Sequence, residues 1–204
     1  MIDLYTVPTA NGQKVQILLE ETGLDYTPHL VDLTAGVHRQ APFLKMNPFG
    51  RVPAIVDRGA GDLAVGETLA ILMYLAEKGE RFLPKDTRGR SEVLQWLSAI
   101  SANIGPLFRG IFMFTSVVPG KIEPAIGYFR GEAEKAFVML DRALTDRTWL
   151  VGDEYTIADI SAYPVAVTSG KNLPQGLTPY PNIARWAERI GARPAVQRGM
   201  KLFT

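Results

Sequence analysis

The stretch that decides the fold is Gly50-Arg51-Val52-Pro53-Ala54-Ile55. Proline has no backbone N–H to give to a sheet ladder, so Pro53 marks the start or the edge of a strand. If the Val52–Pro53 bond is cis, the backbone N–H and C=O of Val52 face outward, where an extended peptide ligand can pair with them as an added strand. The alternative is an ordinary X-Pro turn, which is the commoner outcome for such bonds.

A second motif follows shortly after, where Gly66-Glu67-Thr68 opens a helix. A helix N-terminus offers unbonded N–H groups and partial positive charge, which suit a carboxylate. Thr68 adds a hydroxyl donor, and Glu67 adds an anion for an ammonium group. Together these groups match the head of an α-amino acid, whereas the alternative is a plain helix cap.

Hydrophobic spacing predicts a small mixed sheet with helices on its faces for the first part of the chain. The order is strand, helix, strand, short helix, two strands and helix, with Asn11 as the cap of the first helix. The predicted elements cover residues 2–5, 11–21, 26–33, 42–45, 54–57, 62–65 and 68–78.

The remainder of the chain has helical periodicity and no strand pattern. Predicted helices cover residues 88–104, 122–144, 156–167 and 182–190, and Gly105-Pro106 should kink or stop the first of them. We therefore predict a domain over 1–79, a linker over 80–86 and an all-helical domain over 87–204.

Composition excludes several classes of function. Among 204 residues there are 22 basic and 21 acidic side chains, a net charge of +1, which gives no basic footprint for nucleic acid. There is no cysteine, so any thiol chemistry must use a thiol that a ligand brings. With only two histidines, no metal site is expected. We see neither a secretory signal nor a run of about 20 apolar residues that could span a membrane, so cytoplasmic residence and no membrane partner are expected.

This order of elements, with Val52-Pro53 before one strand and Glu67-Thr68 at a helix start, resembles the glutathione transferases. The segment Tyr155-Thr156-Ile157-Ala158-Asp159-Ile160 resembles the capping box of that family's helical half. The resemblance covers essentially the whole chain. It implies a thioredoxin-like α/β N-terminal domain followed by an all-α C-terminal domain.

Within that family, two segments resemble the bacterial nu class, which is related to the fungal nitrogen-regulator-like transferases. They are Thr9-Ala10-Asn11-Gly12-Gln13-Lys14 and Leu94-Gln95-Trp96-Leu97, the second followed by Gly105-Pro106. This likeness implies glutathione as cosubstrate, a preference for disulfide-bond reduction with two bound glutathiones, and a homodimer. A conjugating transferase or isomerase acting on an apolar electrophile, and a non-catalytic interaction module, are the alternatives.

The resemblance also implies a glutathione site. Val52, preceding Pro53, would pair with the cysteinyl backbone, and Glu67 and Thr68 would bind the γ-glutamyl head. For the glycyl carboxylate we expect Arg51 or Gln40, with His38 and Arg39 as further candidates.

The thiol needs an activator, and the end of the first strand offers only Thr9 and Asn11. Both can donate hydrogen bonds to a thiolate, and neither is a base at neutral pH. We expect these donors and the helix N-terminus to stabilise the thiolate, with Tyr5 as the rival donor. Lys14 is expected to be an ordinary exposed helix residue.

For the second substrate, the apolar stretch 107–114 is the candidate pocket, and Phe108, Phe112 and Met113 are its expected lining. The alternative is that these side chains belong to the core.

Overall fold

A computed structural model describes residues 1–203. Their contacts form two compact units, one of residues 84–190 and one that combines residues 1–83 with residues 191–203. The C-terminal residues therefore pack within the first unit, whereas the predicted helical domain over 87–204 includes them. The predicted domain boundaries themselves stay a prediction.

The first unit contains a sheet of four strands in the order β2-β1-β3-β4. Strand β1 (Ile2–Thr6) is parallel to β2 (Tyr26–Leu30), and β3 (Ala54–Asp57) is antiparallel to both β1 and β4 (Leu63–Val65). The C-terminal ends of β1, β2 and β4 therefore lie beside the N-terminal end of β3, at the same end of the sheet. The thioredoxin-like fold expected for this half is confirmed.

Three helices connect these strands: α1 (Ala10–Thr22), α2 (Ala41–Met46) and α3 (Thr68–Lys78). Helix α1 packs against α3. Gly23 ends α1 in the left-handed conformation, with a φ of 69°, and its N–H bonds the Leu19 carbonyl. Buried Asp57 joins the sheet to α3, because its carboxylate accepts from Tyr74 at 2.6 Å and pairs with Lys78 at 2.8 Å.

The second unit contains helices only, within the residues that the structure describes. Its α-helices are α4 (Thr87–Ser98), α5 (Gly105–Phe112), α6 (Glu123–Ala143), α7 (Ile157–Pro164) and α8 (Pro181–Gly191). The sequence predicted that Gly105-Pro106 would either kink or stop the helix, and Pro106 does not stop it. The wider π-helical turns of residues 99–104 take up the interruption and α5 continues directly from α4.

By length and composition alone, one described helical stretch, Thr87–Val117, passes the test for a membrane span. Its first turns carry Arg88, Arg90 and Glu92, which are charged. Core helices of globular proteins pass the same test, so this stretch is weak evidence for a membrane.

The predicted capping box at the start of α7 is present. Thr156 caps the helix, and the Asp159 carboxylate accepts from the Thr156 N–H at 3.0 Å. The same buried carboxylate accepts from Trp186 Nε1 at 2.9 Å and from the Leu150 N–H at 3.0 Å. Asp159 therefore joins α7, α8 and the preceding loop through donors that would otherwise be buried without a partner.

Helix α9 (Pro194–Lys201) packs against α1. A Cβ on Gly199 would lie 2.7 Å from the backbone of Ile17, so this close approach requires glycine. Arg193 pairs with Glu21 and Arg198 pairs with Glu20 on either side of the contact.

Candidate functional site

The expected site residues come together at the end of the sheet where β3 begins. Tyr5 of β1 is paired with Ala54 of β3, and Ile55 of β3 is paired with Val65 of β4. The segments that leave β1 and β4 and the segment that enters β3 are therefore neighbours. These segments carry Thr9 and Asn11, Glu67 and Thr68, and Val52 and Pro53 respectively.

The first of these segments joins β1 to α1. Thr9, and not Asn11 as predicted, is the helix cap: its hydroxyl oxygen accepts from the Gly12 N–H at 3.3 Å. Asn11 is the second residue of the helix, because Thr9 already has the extended backbone that a cap requires. The Thr9 hydroxyl keeps its own hydrogen for another acceptor.

Gly12 sets how closely α1 approaches β1, a role that the helical pattern of the sequence does not reveal. A Cβ at this position would overlap the carbonyl oxygen of Val7 and the hydroxyl of Thr6. Within residues 1–203 the backbone N–H groups of Ala10 and Asn11 have no acceptor. Two backbone donors and the Thr9 hydroxyl are thus available at the start of α1, as an anion would require.

Lys14 is not the exposed residue that the sequence led us to expect. It is 2% exposed, and its ammonium group donates to Asn11 Oδ1 at 2.9 Å. Burial lowers the pKa of Lys14 to about 8. Its position is three residues after Asn11, on the same side of α1, and a helical pattern alone does not reveal what packs over that side.

Tyr5, the rival activator, is packed on the other face of the sheet. Its ring stacks on His29 with centroids 4.7 Å apart and meets Phe43 of α2 edge-on. Neighbouring Thr6 lies against Gly12 of α1. Since successive side chains of a strand face opposite sides, Tyr5 faces away from α1, which favours a packing role.

The second segment contains the Val52–Pro53 peptide, which is cis. Across the described chain, the backbone N–H and C=O of Val52 have no hydrogen-bond partner. The preceding carbonyl, that of Arg51, accepts from Asn47 Nδ2 at 2.8 Å. Val52 therefore presents a backbone donor and acceptor that its own sheet does not use.

The third segment is the start of α3. Glu67 has a φ of 62° and a ψ of 120°, an unfavourable backbone conformation for a residue with a side chain. The Glu67 side chain makes no cap hydrogen bond to α3, so the first N–H groups of the helix are available to a ligand carboxylate, with the Thr68 hydroxyl beside them.

Asn47 holds the second and third segments together, although its sequence context indicates only a loop residue. It is 2% exposed. Its carboxamide bonds the Arg51 carbonyl, and a Cβ on Gly66 would lie 2.8 Å from Asn47 Cγ. The Val52 backbone and the Glu67 turn are consequently neighbours across one buried side chain.

The candidates for the glycyl carboxylate lie in two loops of the same unit. Gln40 caps α2 through its backbone and makes no side-chain cap bond, and Arg51 is exposed. His38 Nδ1 is buried with no hydrogen-bond partner among the described residues, and Arg39 is exposed. Which of these groups binds a carboxylate stays a prediction.

The expected second-substrate residues belong to the second unit. Phe108 is buried against Phe137, with ring centroids 5.3 Å apart, which is a core contact. Phe112 is 57% exposed and Met113 is half-exposed. Their part in a substrate pocket stays a prediction.

Over residues 1–203, no group of three or more His, Asp or Glu side chains is arranged to hold a metal ion.

Comparisons with known proteins agree with this architecture. The family description "Glutathione S-transferase, N-terminal domain" matches residues 1–77, and "Glutathione S-transferase, C-terminal domain" matches residues 107–194. The disulfide-bond oxidoreductase YfcG of Escherichia coli is 38% identical over 204 residues, which cover 98% of this chain and 94% of that protein.

Two solved structures are similar in fold and sequence. A glutathione transferase from Burkholderia graminis, with two glutathione molecules bound per subunit, superposes with a TM-score of 0.90 at 35% identity, covering 98% of this chain and 87% of that one. One from Pseudomonas putida, with one glutathione disulfide per subunit, gives 0.90 at 32% identity, covering 98% and 91%. The chain belongs to the glutathione S-transferase family.

Proposed function

We propose that this chain is a glutathione-dependent disulfide-bond reductase that binds glutathione at the edge formed by Val52, Glu67 and Thr68. The observation that carries the proposal is the unpaired backbone of Val52 beside the uncapped start of α3. A tripeptide has a backbone to pair with the first and an amino-acid head to fit the second. The YfcG protein, named as a disulfide-bond oxidoreductase, supports the reaction.

Thr9 and Asn11 are the residues that would stabilise the thiolate of the bound glutathione. The Thr9 hydroxyl, the Asn11 carboxamide and the unbonded N–H groups of the first turn are hydrogen-bond donors at one helix N-terminus. Such donors and the helix dipole favour a thiolate over a thiol and so lower the thiol pKa. Glutathione then loses its proton to solvent, because neither side chain can accept it at neutral pH.

The reaction that follows is thiol–disulfide exchange between ligands, since the chain has no cysteine. The glutathione thiolate attacks one sulfur of the disulfide substrate, forms a mixed disulfide, and releases the other sulfur as a thiolate that takes up a proton. A second glutathione thiolate attacks the glutathione sulfur of that mixed disulfide. The products are glutathione disulfide and a second released thiol, so two glutathiones are oxidised for each disulfide reduced.

A homodimer is part of the proposal. Family members are generally dimeric, and large apolar side chains are exposed on this chain. Tyr128 and Met139 are 65% and 66% exposed and lie three turns apart on one side of α6, and Phe49 is 76% exposed. Light scattering at micromolar protein should give twice the chain mass, and Met139→Ser or Phe49→Ser should shift that mass toward the monomer. Cytoplasmic location stays a prediction.

The test of function compares two reactions of one preparation. Turnover of a small mixed disulfide with glutathione should exceed conjugation of a chlorinated nitroaromatic compound. Thr9→Ala and Asn11→Ala should both lower the first rate. Conjugation far above reduction would replace this proposal with a conventional transferase, and absence of glutathione binding at millimolar concentration would favour a non-catalytic module.

A further inference from the structure

Lys14 is the most unusual charged residue of the first unit. It is 2% exposed, yet its only hydrogen-bond partner among residues 1–203 is the neutral carboxamide of Asn11. An ammonium group has three hydrogens to donate, and a buried charge is costly unless it is paired. The free-energy cost of burying this charge is large for a residue that only packs.

The protein does not supply a counter-charge for Lys14 in the part of the chain that is described. The nearest carboxylates on its own helix, Glu20 and Glu21, pair with Arg198 and Arg193 of α9. On the other neighbouring helix, α3, the one carboxylate is that of Glu77, and it makes no ion pair with Lys14. The burial that lowers the pKa of Lys14 to about 8 is not offset by any ion pair.

The bond between Lys14 and Asn11 also fixes which way the carboxamide faces. An ammonium group can only donate, so the atom that it meets must be the carboxamide oxygen. The NH₂ group of Asn11 is then left on the other side, where it can donate. A positive charge bonded to the oxygen draws electron density from the amide and strengthens its N–H donors.

We propose that Lys14 is a positioning residue for the reaction: it orients and polarises the Asn11 carboxamide as a donor to the glutathione sulfur, and its unpaired positive charge favours the thiolate. This inference rests on the proposed function. It explains why a buried lysine lies three residues from a residue of the thiol site. Lys14 acts through Asn11 and the local field and need not touch the ligand.

The experiment uses Lys14→Met, which keeps most of the side-chain volume and removes the charge, and Lys14→Arg, which keeps the charge. Lys135→Met is the matched control, because Lys135 also donates to a side chain three residues earlier, Glu132, but is exposed. For each protein, calorimetry measures glutathione affinity, ultraviolet absorbance of the thiolate against pH measures the pKa of the bound thiol, and thermal unfolding measures stability.

We expect Lys14→Met to bind glutathione within about threefold of the wild-type affinity while the pKa of the bound thiol rises by about one unit, which lowers the thiolate-to-thiol ratio about tenfold at a given pH. Turnover should fall in parallel and recover toward higher pH. Lys14→Arg should move the thiol pKa less than Lys14→Met, and Lys135→Met should not move it. Since the methionine removes a buried charge, the variant should not unfold at a lower temperature than the wild type.

A folded Lys14→Met protein that binds glutathione with an unchanged thiol pKa would overturn the inference and leave the proposed function standing. A less stable variant with an unchanged thiol pKa would identify Lys14 as structural only. If the wild-type protein itself fails to bind glutathione, the proposed function falls, and this inference falls with it.

Discussion

The buried carboxamide of Asn47 donates to the carbonyl oxygen of Arg51 at 2.8 Å. On its other side the same carboxamide contacts Gly66, where a Cβ would come within 2.8 Å. One side chain thereby fixes the distance between the Val52 backbone and the Glu67 turn. In this account those two segments hold the middle and the γ-glutamyl end of one tripeptide.

Asn47→Ala should therefore weaken glutathione binding by about tenfold, and it should destabilise the fold by about 1–3 kcal/mol because the Arg51 carbonyl loses its donor. Calorimetry and urea unfolding measure the two effects. Exposed Asn172 provides the control, Asn172→Ala, which should change neither. Unchanged affinity in a folded Asn47→Ala protein would mean that the two segments are held by other contacts.

Gly12→Ala tests whether α1 must pack this closely against β1. The added methyl overlaps the Val7 carbonyl and the Thr6 hydroxyl, so the helix must shift, and Thr9 and Asn11 shift with it. We expect at least a tenfold loss of turnover and a loss of stability of about 1–3 kcal/mol, as for other overpacked sites.

The matched control is Gly127→Ala, also within a helix but with open space at the added methyl. Alanine there should raise stability by about 0.5–1 kcal/mol, because it lowers the entropy cost of helix formation. Equal effects of the two substitutions would contradict the close seating of α1.

Glu67 combines an unfavourable backbone with an anionic side chain, and two variants separate these properties. Glu67→Gln keeps the unfavourable backbone conformation and removes the charge. Glutathione affinity should therefore fall about tenfold or more, as expected for the loss of a charge-assisted hydrogen bond, with little change in stability. Glu67→Gly should lose the same affinity but gain stability, because glycine tolerates a φ of 62°.

A glutathione analogue that lacks the α-amino group provides the internal check. Wild type and Glu67→Gln should bind that analogue equally, because the ammonium partner of Glu67 is gone. If the substitution weakens the analogue as much as glutathione, the carboxylate does not bind the amino group.

Asn11→Ala should lower turnover by more than Tyr5→Phe does. Loss of one donor to a developing anion commonly costs about 100-fold or more in turnover, whereas the Tyr5 ring faces His29 and Phe43 and keeps those contacts as phenylalanine. Steady-state rates with a small mixed disulfide measure the ranking. An equal or reversed order would assign the thiol activator to Tyr5.

Asp57 predicts a pH dependence of stability. Burial raises the pKa of its carboxyl, but bonds from Lys78, Tyr74 and the Gly59 N–H outweigh that effect and hold the pKa below its ordinary value of 3.8. A lowered folded pKa means that this carboxylate stabilises the fold above about pH 4, and that the contribution is lost as the pH falls through the folded value.

Asp57→Asn should therefore cost about 1–3 kcal/mol at neutral pH, and the difference from wild type should shrink as the pH is lowered. Urea unfolding across that range measures it, with exposed Asp153→Asn as the control. A difference that stays constant into acid would show that Asp57 acts through packing and not through its charge.

The sequence was sufficient for the elements whose signals are local. The strand over 54–57 and the helix over 68–78 have the predicted bounds, because a proline precedes the first and an acidic turn opens the second. The capping box at Thr156 and Asp159 was likewise predicted, since both partners lie within one turn.

The sequence was insufficient where a residue's role depends on distant neighbours. Lys14 was expected to be exposed because a charged residue in a helix usually is, and its burial comes from elements packed over α1. Asn47 reads as a loop residue until Gly66 is placed beside it. Helix α9 was not predicted, because the ion pairs that hold it are not visible in the local sequence: Arg193 pairs with Glu21 and Arg198 pairs with Glu20, near the other end of the chain.

A crystal structure of the protein soaked with glutathione tests the central claim most directly. The cysteinyl N–H and C=O should bond the backbone of Val52 at about 2.9 Å, with the γ-glutamyl head at Glu67 and Thr68 and the sulfur facing Thr9 and Asn11. Glutathione bound at another surface, or absent while Val52 stays unpaired, would contradict the account.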